Sequence, residues 1–175
     1  KVGLVGAGYI VDAHIKALKA LPNVEIAAVC DRSLDRAARS AELYGIAHVY
    51  PSIDKMLLSE LDVVHILLPP DLHFETAKQV IESGRHAFLE KPMCIDAAQC
   101  QALVDLATEK NVKLGVNHNF LFLPSYERLR QQASDGTLGK FGQVCINWIA
   151  PLGLIQVGPF DNWILREPKN LFLEI

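Results

Sequence analysis

The stretch VGLVGAGYIVDAH, residues 2–14, decides the fold of this chain. An apolar run comes first, Gly6 and Gly8 follow it, and a pattern of helical period begins directly afterwards. Two glycines between a strand and a helix allow a sharp turn, and the free N–H groups at the start of the helix can bind a pyrophosphate. A turn that only packs a helix on a strand has a similar sequence, and Val11 stands where a third small residue is usual. The stretch alone predicts strand, turn and helix, and leaves the ligand open.

Short apolar runs alternate with segments of helical period along most of the chain. This alternation is typical of right-handed strand–helix–strand units, so we predict an α/β fold with a Rossmann-type, doubly wound parallel sheet. The predicted strands are Lys1–Val5, Val24–Cys30, His48–Tyr50, Val63–Leu68, Ala87–Glu90 and Lys113–Asn117. The predicted helices are Tyr9–Ala20, one capped by Ser33 that ends at Gly45, one from Pro70 or Asp71 to Gly84, and one capped by Asp96 that ends near Lys110.

Composition excludes several classes of protein. The net charge is −3 with scattered Lys and Arg, which gives no basic surface for nucleic acid. No apolar stretch is long enough to cross a bilayer and no leader precedes the first strand, so we expect a soluble, cytoplasmic protein. The four cysteines form no CxxC pair, and we expect reduced, mostly buried thiols and no metal site.

Asp31 directly follows the second predicted strand, 23 residues after Gly8, at the position where a dinucleotide site commonly has an acidic residue. A carboxylate there can accept hydrogen bonds from both hydroxyls of an adenosine ribose and would repel a 2′-phosphate. The pattern therefore predicts a dinucleotide site that favours NAD, with NADP as the alternative, because Arg32 could stack on adenine or pair with that phosphate. Asp31 and Ser33 could also serve as helix caps, which is compatible with a bound ribose.

The pattern changes after Pro124, where a helix and a tight turn precede a predicted strand, QVCINWIA, residues 143–150. We expect residues 1–121 to form the dinucleotide-binding domain. Residues 122–175 would begin a second, α/β or α+β, substrate and oligomerisation domain. The chain lacks an initiator Met and stops within an apolar run, so we expect a piece of a longer protein.

Four segments read in order carry a family resemblance: VGLVGAGYIVDAH, CDRS, ILLPPDLHFETA and FLEKPMC. The chain resembles the Gfo/Idh/MocA family of nicotinamide-dependent oxidoreductases from about Lys1 to Phe122, and more loosely beyond. The resemblance implies a secondary alcohol or ketone of a sugar, cyclitol or related polyol as substrate. It also implies a homo-oligomeric full-length protein. The residues that it and the motifs assign to cofactor binding are Gly6, Gly8, Tyr9, Ile10, Asp31, Arg32, Leu68, Pro69, Pro70, His73, Glu90, Lys91 and Asn117.

Lys91 is the candidate catalytic residue. By the resemblance, this lysine holds the reacting hydroxyl and assists proton transfer, and a cis peptide before Pro92 is expected. Lys91 would act as a base if burial and an oxidised cofactor lowered its pKa, and otherwise as an electrostatic clamp. A surface lysine paired with a carboxylate is the alternative. His73 is likewise open, since it either lines the nicotinamide side of the cleft or lies on a solvated helix face.

The chain departs from the family in one place and stops before another. Asn119 stands where an Arg is common, which leaves the substrate class open, and His118 and Asn119 either face the cleft or end a strand. Trp148 and Trp163 resemble the start of the substrate domain or are core aromatics. The family's His and Asp for acid–base chemistry are expected beyond Ile175, so these residues alone are expected to be inactive.

Three hypotheses for function remain. The first is an NAD(P)-dependent oxidoreductase in which Lys91 polarises the substrate oxygen. The second is a non-catalytic dinucleotide sensor or scaffold protein, which would bind cofactor without hydride exchange. The third is an enzyme that uses the cleft for another nucleoside, such as an S-adenosyl donor. The EKP sequence at residues 90–92 favours the first, since a sensor has no evident need for that lysine.

Overall fold

The computed structural model describes residues 1–147 of the chain. It divides the chain into two compact units, Lys1–Asn117 and His118–Ile175. The first unit contains a parallel sheet of six strands in the order β3-β2-β1-β4-β5-β6. The strands are β1 (Val2–Val5), β2 (Ile26–Cys30), β3 (His48–Tyr50), β4 (Val63–Ile66), β5 (His86–Glu90) and β6 (Leu114–Asn117). This confirms the predicted Rossmann-type sheet, because the order reverses between β1 and β4.

Five helices accompany the sheet in the first unit: α1 (Val11–Lys19), α2 (Leu34–Tyr44), α3 (Ile53–Met56), α4 (His73–Glu82) and α5 (Ala97–Glu109). The predicted caps of α2 are confirmed, since the Ser33 side chain accepts from the backbone N–H of Arg36 and Gly45 adopts a φ of 70°. Asp96 caps α5 by accepting from the N–H of Gln99 at 2.9 Å. Helix α3 was not predicted because four residues are too few to show a helical period.

The core lies on both faces of the sheet. One cluster joins strand residues such as Leu4 and Val29 to α1 and α2, including Ile15 and Ala37. The other joins the opposite strand faces to α3, α4 and α5. Val11, the residue expected to be too bulky for the glycine motif, is buried in the first cluster. Its bulk is therefore accommodated on the sheet.

The second unit begins with a 3₁₀ turn at Asn119–Phe122 and helix α6 (Pro124–Ser134), which confirms the predicted helix. The predicted strand from Gln143 is wrong over residues 143–147, which adopt no strand. A strand needs a neighbour for its backbone hydrogen bonds, and none is present among the described residues. The rest of that strand, Trp148 and Trp163 lie outside the described residues.

Two further features of the described residues are the state of the cysteines and the length of the apolar helices. All four cysteines are free, with Cys30 and Cys94 buried, Cys100 half-buried and Cys145 exposed. Within residues 1–147, no helix combines the length and apolarity that a membrane crossing requires.

Candidate functional site

The glycine turn after β1 lies against the end of β4, at the point where the strand order reverses. Gly6 donates to the carbonyl of Cys30 at 2.8 Å, and Leu67 donates to the carbonyl of Val5 at 2.7 Å. Gly6 has a φ of 101°, and a Cβ there would lie 2.4 Å from the Leu67 carbonyl oxygen. Only glycine fits this position, so the turn is built by close backbone packing. Ligands of open parallel sheets bind in the crevice outside such a reversal.

The N-terminus of α1 opens toward that crevice. A Cβ on Gly8 would meet nothing within 4 Å, and Tyr9 is 99% exposed. No side chain caps the helix, and within the described residues the backbone N–H groups of Gly8, Tyr9 and Ile10 have no hydrogen-bond acceptor. Uncapped N–H groups at a helix N-terminus attract an anion. These residues therefore fit the pyrophosphate of a dinucleotide.

Asp31 connects the glycine turn to the second strand. Its Oδ2 accepts from the N–H of Ala7 at 2.8 Å, while its Oδ1 accepts from the N–H of Ser33 at 2.7 Å and from Arg36 Nη2 at 2.9 Å. Burial would raise the pKa of Asp31, but these hydrogen bonds outweigh it and hold the pKa below its ordinary value. Asp31 is therefore ionised at neutral pH and keeps lone-pair capacity for a further donor.

Arg36 is the cation that pairs with Asp31, whereas Arg32 was predicted to stack on adenine or pair with a 2′-phosphate. Both arginines are exposed, and Arg36 forms its ion pair with the carboxylate from the first turn of α2. The sequence contained a signal for this pairing, because Arg36 lies three residues after the Ser33 cap and so projects from the helix N-terminus toward the strand end.

The loop after β4 supplies the other side of the crevice. Leu68 and Pro69 are half-buried and Pro70 is buried at the start of a 3₁₀ turn, Pro70–Leu72. His73 is 0% exposed, so it lies beneath this surface. Both interpretations of His73 as a cleft-lining or a solvated residue therefore need correction.

His73 joins two loops. Its ring nitrogens lie 2.7 Å from the carbonyl oxygen of Leu68 and 2.8 Å from that of Pro92. A neutral imidazole has one N–H, so one of these contacts is a hydrogen bond in the neutral ring and both are in the protonated ring. His73 thus contacts both the loop after β4 and the loop after β5, where the Lys91–Pro92 peptide bond is cis, as expected.

Glu90, which directly precedes Lys91, is the centre of a partly buried polar network. Its Oε1 accepts from Asn117 Nδ2 at 2.6 Å and lies 2.7 Å from His14 Nε2, and its Oε2 accepts from the Lys91 N–H at 3.2 Å. His14 Nδ1 lies 3.0 Å from His65 Nδ1. Because a carboxylate only accepts, His14 Nε2 carries the hydrogen of the contact with Glu90. Glu90 and Asn117 were predicted site residues, whereas the two histidines were not.

The network keeps two groups in defined charge states. Burial would raise the pKa of Glu90, but hydrogen bonds from His14, Asn117 and the Lys91 backbone outweigh it, so the pKa stays below its ordinary value. Burial lowers the pKa of His65 to about 4, with a further contribution from His14. At neutral pH the network therefore contains an ionised Glu90 and a neutral His65.

The low pKa of His65 makes stability sensitive to acid. The His65 imidazole binds a proton near pH 6.5 in the unfolded chain and near pH 4 in the folded chain. The free energy of unfolding therefore has its full value above pH 6.5 and decreases as the pH falls to about 4. The loss amounts to about 3 kcal/mol. We expect His65→Phe to flatten this part of the dependence, as measured by urea unfolding between pH 7 and pH 4. An unchanged slope would contradict the assignment.

Two further residues were named in the sequence analysis. His118 and Asn119 belong to the second unit and are exposed. No group of three or more His, Cys, Asp or Glu side chains suited to a metal ion occurs in residues 1–147. The candidate site in the first unit is thus the carboxyl edge of the sheet where the strand order reverses, bordered by the glycine turn, Asp31 and the loops after β4 and β5.

Known proteins resemble this chain in sequence and in fold. The family described as "Oxidoreductase family, NAD-binding Rossmann fold" matches residues 1–118. D-glucoside 3-dehydrogenase of Escherichia coli strain K12 is 30% identical over 164 residues, which are 93% of this chain and 47% of that protein. GenD2 from gentamicin A biosynthesis, solved in complex with NAD, has a TM-score of 0.74 and 29% identity over 78% of this chain and 39% of its own.

A second solved structure holds the other nicotinamide cofactor. KijD10, a 3-ketoreductase from Actinomadura kijaniata in complex with NADP and TDP-benzene, has a TM-score of 0.71 and 30% identity, over 77% of this chain and 42% of its own. The chain spans less than half the length of each of these proteins.

Proposed function

The chain belongs to the Gfo/Idh/MocA family of oxidoreductases, and from this premise we propose that it forms the cofactor-binding part of an NAD(P)-dependent dehydrogenase. The substrate is a secondary alcohol, or the corresponding ketone, of a sugar, cyclitol or related polyol. The observation that carries the proposal is the uncapped N-terminus of α1 beside an ionised Asp31. The names of the relatives, a D-glucoside dehydrogenase and a 3-ketoreductase, support the substrate class.

The residues of the crevice divide the cofactor between them. The glycine turn holds the pyrophosphate, and Asp31 accepts hydrogen bonds from the adenosine ribose. NAD is favoured because this carboxylate repels a 2′-phosphate. Arg36, which already pairs with Asp31, is the residue that would accommodate NADP. The loops after β4 and β5 then border the nicotinamide ring.

Lys91 is proposed as the catalytic residue of this chain. When bound, the nicotinamide supplies hydride transfer at its C4 atom. Lys91 lies at the carboxyl end of β5, where its ammonium group can hold and polarise the substrate oxygen. The proton is handled by a group outside residues 1–175. Turnover of a Lys91→Ala variant tests this role.

We propose a homo-oligomer, to be tested by light scattering of the intact protein during gel filtration. The free cysteines, two of them buried, support a reducing, cytoplasmic location.

A turnover experiment tests the reaction. The intact protein is incubated with NAD⁺ and, separately, myo-inositol, methyl D-glucoside and UDP-N-acetylglucosamine, and NADH absorbance is followed. We expect at least one substrate to be oxidised. When the hydrogen on the carbinol carbon of that substrate is replaced by deuterium, the deuterium should appear in NADH. Tight NADH binding with no NADH formed from any of them would favour a non-catalytic binding protein and would contradict the proposal.

A further inference from the structure

The roles proposed so far do not include the contact between His14 and Glu90. His14 is on α1 and is 7% exposed, and Glu90 ends β5 with its side chain 13% exposed. Their 2.7 Å contact joins residues that are 76 positions apart in the sequence. A polar contact of this kind between two buried groups requires an explanation beyond space filling, since burial of unpaired polar groups is costly.

Three contacts hold the Glu90 carboxylate in one orientation. His14 and Asn117 both bind Oε1, which leaves Oε2 directed at the N–H of Lys91. Removal of the His14 contact leaves Oε1 with Asn117 alone. The carboxylate could then rotate about its terminal torsion, which is broad in glutamate, and lose the Lys91 N–H.

We propose that His14 is a positioning residue for Lys91, acting through Glu90. The Nε2–H of His14 fixes the carboxylate, the carboxylate fixes the backbone N–H of Lys91, and this contact sets where the lysine side chain leaves the backbone. The inference rests on the proposed role of Lys91. It adds a residue on a different element that neither touches substrate nor binds the cofactor.

His14 also connects the two ends of the site through α1. His14 lies in the first turn of the helix whose N-terminus is open to an anion. One rigid element therefore defines both the pyrophosphate end of the crevice and, through Glu90, the lysine at its nicotinamide end. The separation of the two ends is thereby fixed by side-chain contacts within the first unit.

Two amides distinguish positioning from space filling. In His14→Gln, the amide nitrogen can occupy nearly the same place as Nε2 and donate to Glu90. In His14→Asn, the shorter side chain reaches only the Nδ1 position, facing His65. His14→Phe keeps the bulk without a donor, and His48→Phe on the exposed edge strand serves as the control.

The first readout is steady-state kinetics of the intact protein with NAD⁺ and the substrate oxidised by the wild type. We expect His14→Asn and His14→Phe to lower kcat by roughly tenfold to a hundredfold, with the KM for NAD⁺ within about twofold. His14→Gln should recover most of the activity. Wild-type kcat in His14→Phe, or a kcat in His14→Gln as low as in His14→Phe, would overturn the proposal.

The second readout needs no substrate and is hydrogen exchange of the Lys91 amide, measured by NMR or on a peptide containing residues 86–94. We expect faster exchange in His14→Asn and His14→Phe, but not in His14→Gln or His48→Phe. If the His14 variants accelerated amide exchange equally in all six strands, the effect would be general destabilisation, and the proposal would be overturned. If the wild type binds no NADH, the proposed function fails, while the exchange pattern still decides whether His14 positions Lys91.

Discussion

Lys91→Ala is expected to lower kcat for NAD⁺ reduction by roughly a hundredfold to ten-thousandfold, the range typical of a lost acid–base or polarising group. The loss follows because Lys91 is the residue at the end of β5 whose side chain is assigned to the substrate oxygen. The affinity for NADH should change by about twofold or less, since the pyrophosphate and ribose contacts remain. Turnover and NADH fluorescence titration of the intact protein measure the two quantities.

Lys78→Ala is the matched control for this variant. Lys78 is a half-exposed lysine on α4 that lies 4.0 Å from Glu82, so its removal deletes the same charge away from the crevice. We expect its kcat to equal that of the wild type. If Lys91→Ala retains wild-type kcat, the catalytic assignment is wrong. A parallel loss of NADH affinity and kcat would instead make Lys91 a cofactor ligand.

Gly6→Ala is expected to destabilise the first unit by about 3 kcal/mol or more, from strain at positive φ together with overpacking. The new Cβ would lie 2.4 Å from the backbone oxygen of Leu67, and β4 cannot move without disturbing its contacts with β1. The midpoint of urea unfolding, followed by circular dichroism, measures the effect.

Gly8→Ala separates folding from binding. Its Cβ would meet nothing within 4 Å, so the unfolding midpoint should stay close to that of the wild type. NADH affinity should still fall, because the methyl group occupies the space through which the backbone approaches the pyrophosphate. Equal unfolding midpoints for Gly6→Ala and the wild type would show that the turn is not packed as described.

Local signals account for the parts of the fold that were predicted correctly. The glycines, the Ser33, Gly45 and Asp96 caps and the alternation of apolar runs all act over a few residues, so they can be recognised in sequence. Parallel pairing then follows, since short connections with a helix return each strand in the same direction. The expected strand from Gln143 failed because strand formation depends on a neighbour, which the local pattern does not show.

The side-chain network could not be predicted in the same way. His14 lies within the predicted helix Tyr9–Ala20, but its partner Glu90 becomes adjacent only when α1 packs on the sheet. The same holds for His73, whose burial between two loops depends on the loop after β5. Such contacts join distant segments and have no fixed sequence spacing.

Titration of the intact protein with NADH, NADPH and S-adenosylmethionine tests the central claim most directly. Fluorescence follows the two nicotinamides, and calorimetry follows the third ligand. We expect NADH to bind, NADPH to bind more weakly by roughly tenfold or more because Asp31 is ionised, and S-adenosylmethionine not to bind. Failure of the folded protein to bind either nicotinamide would contradict the assignment of the crevice as an NAD site.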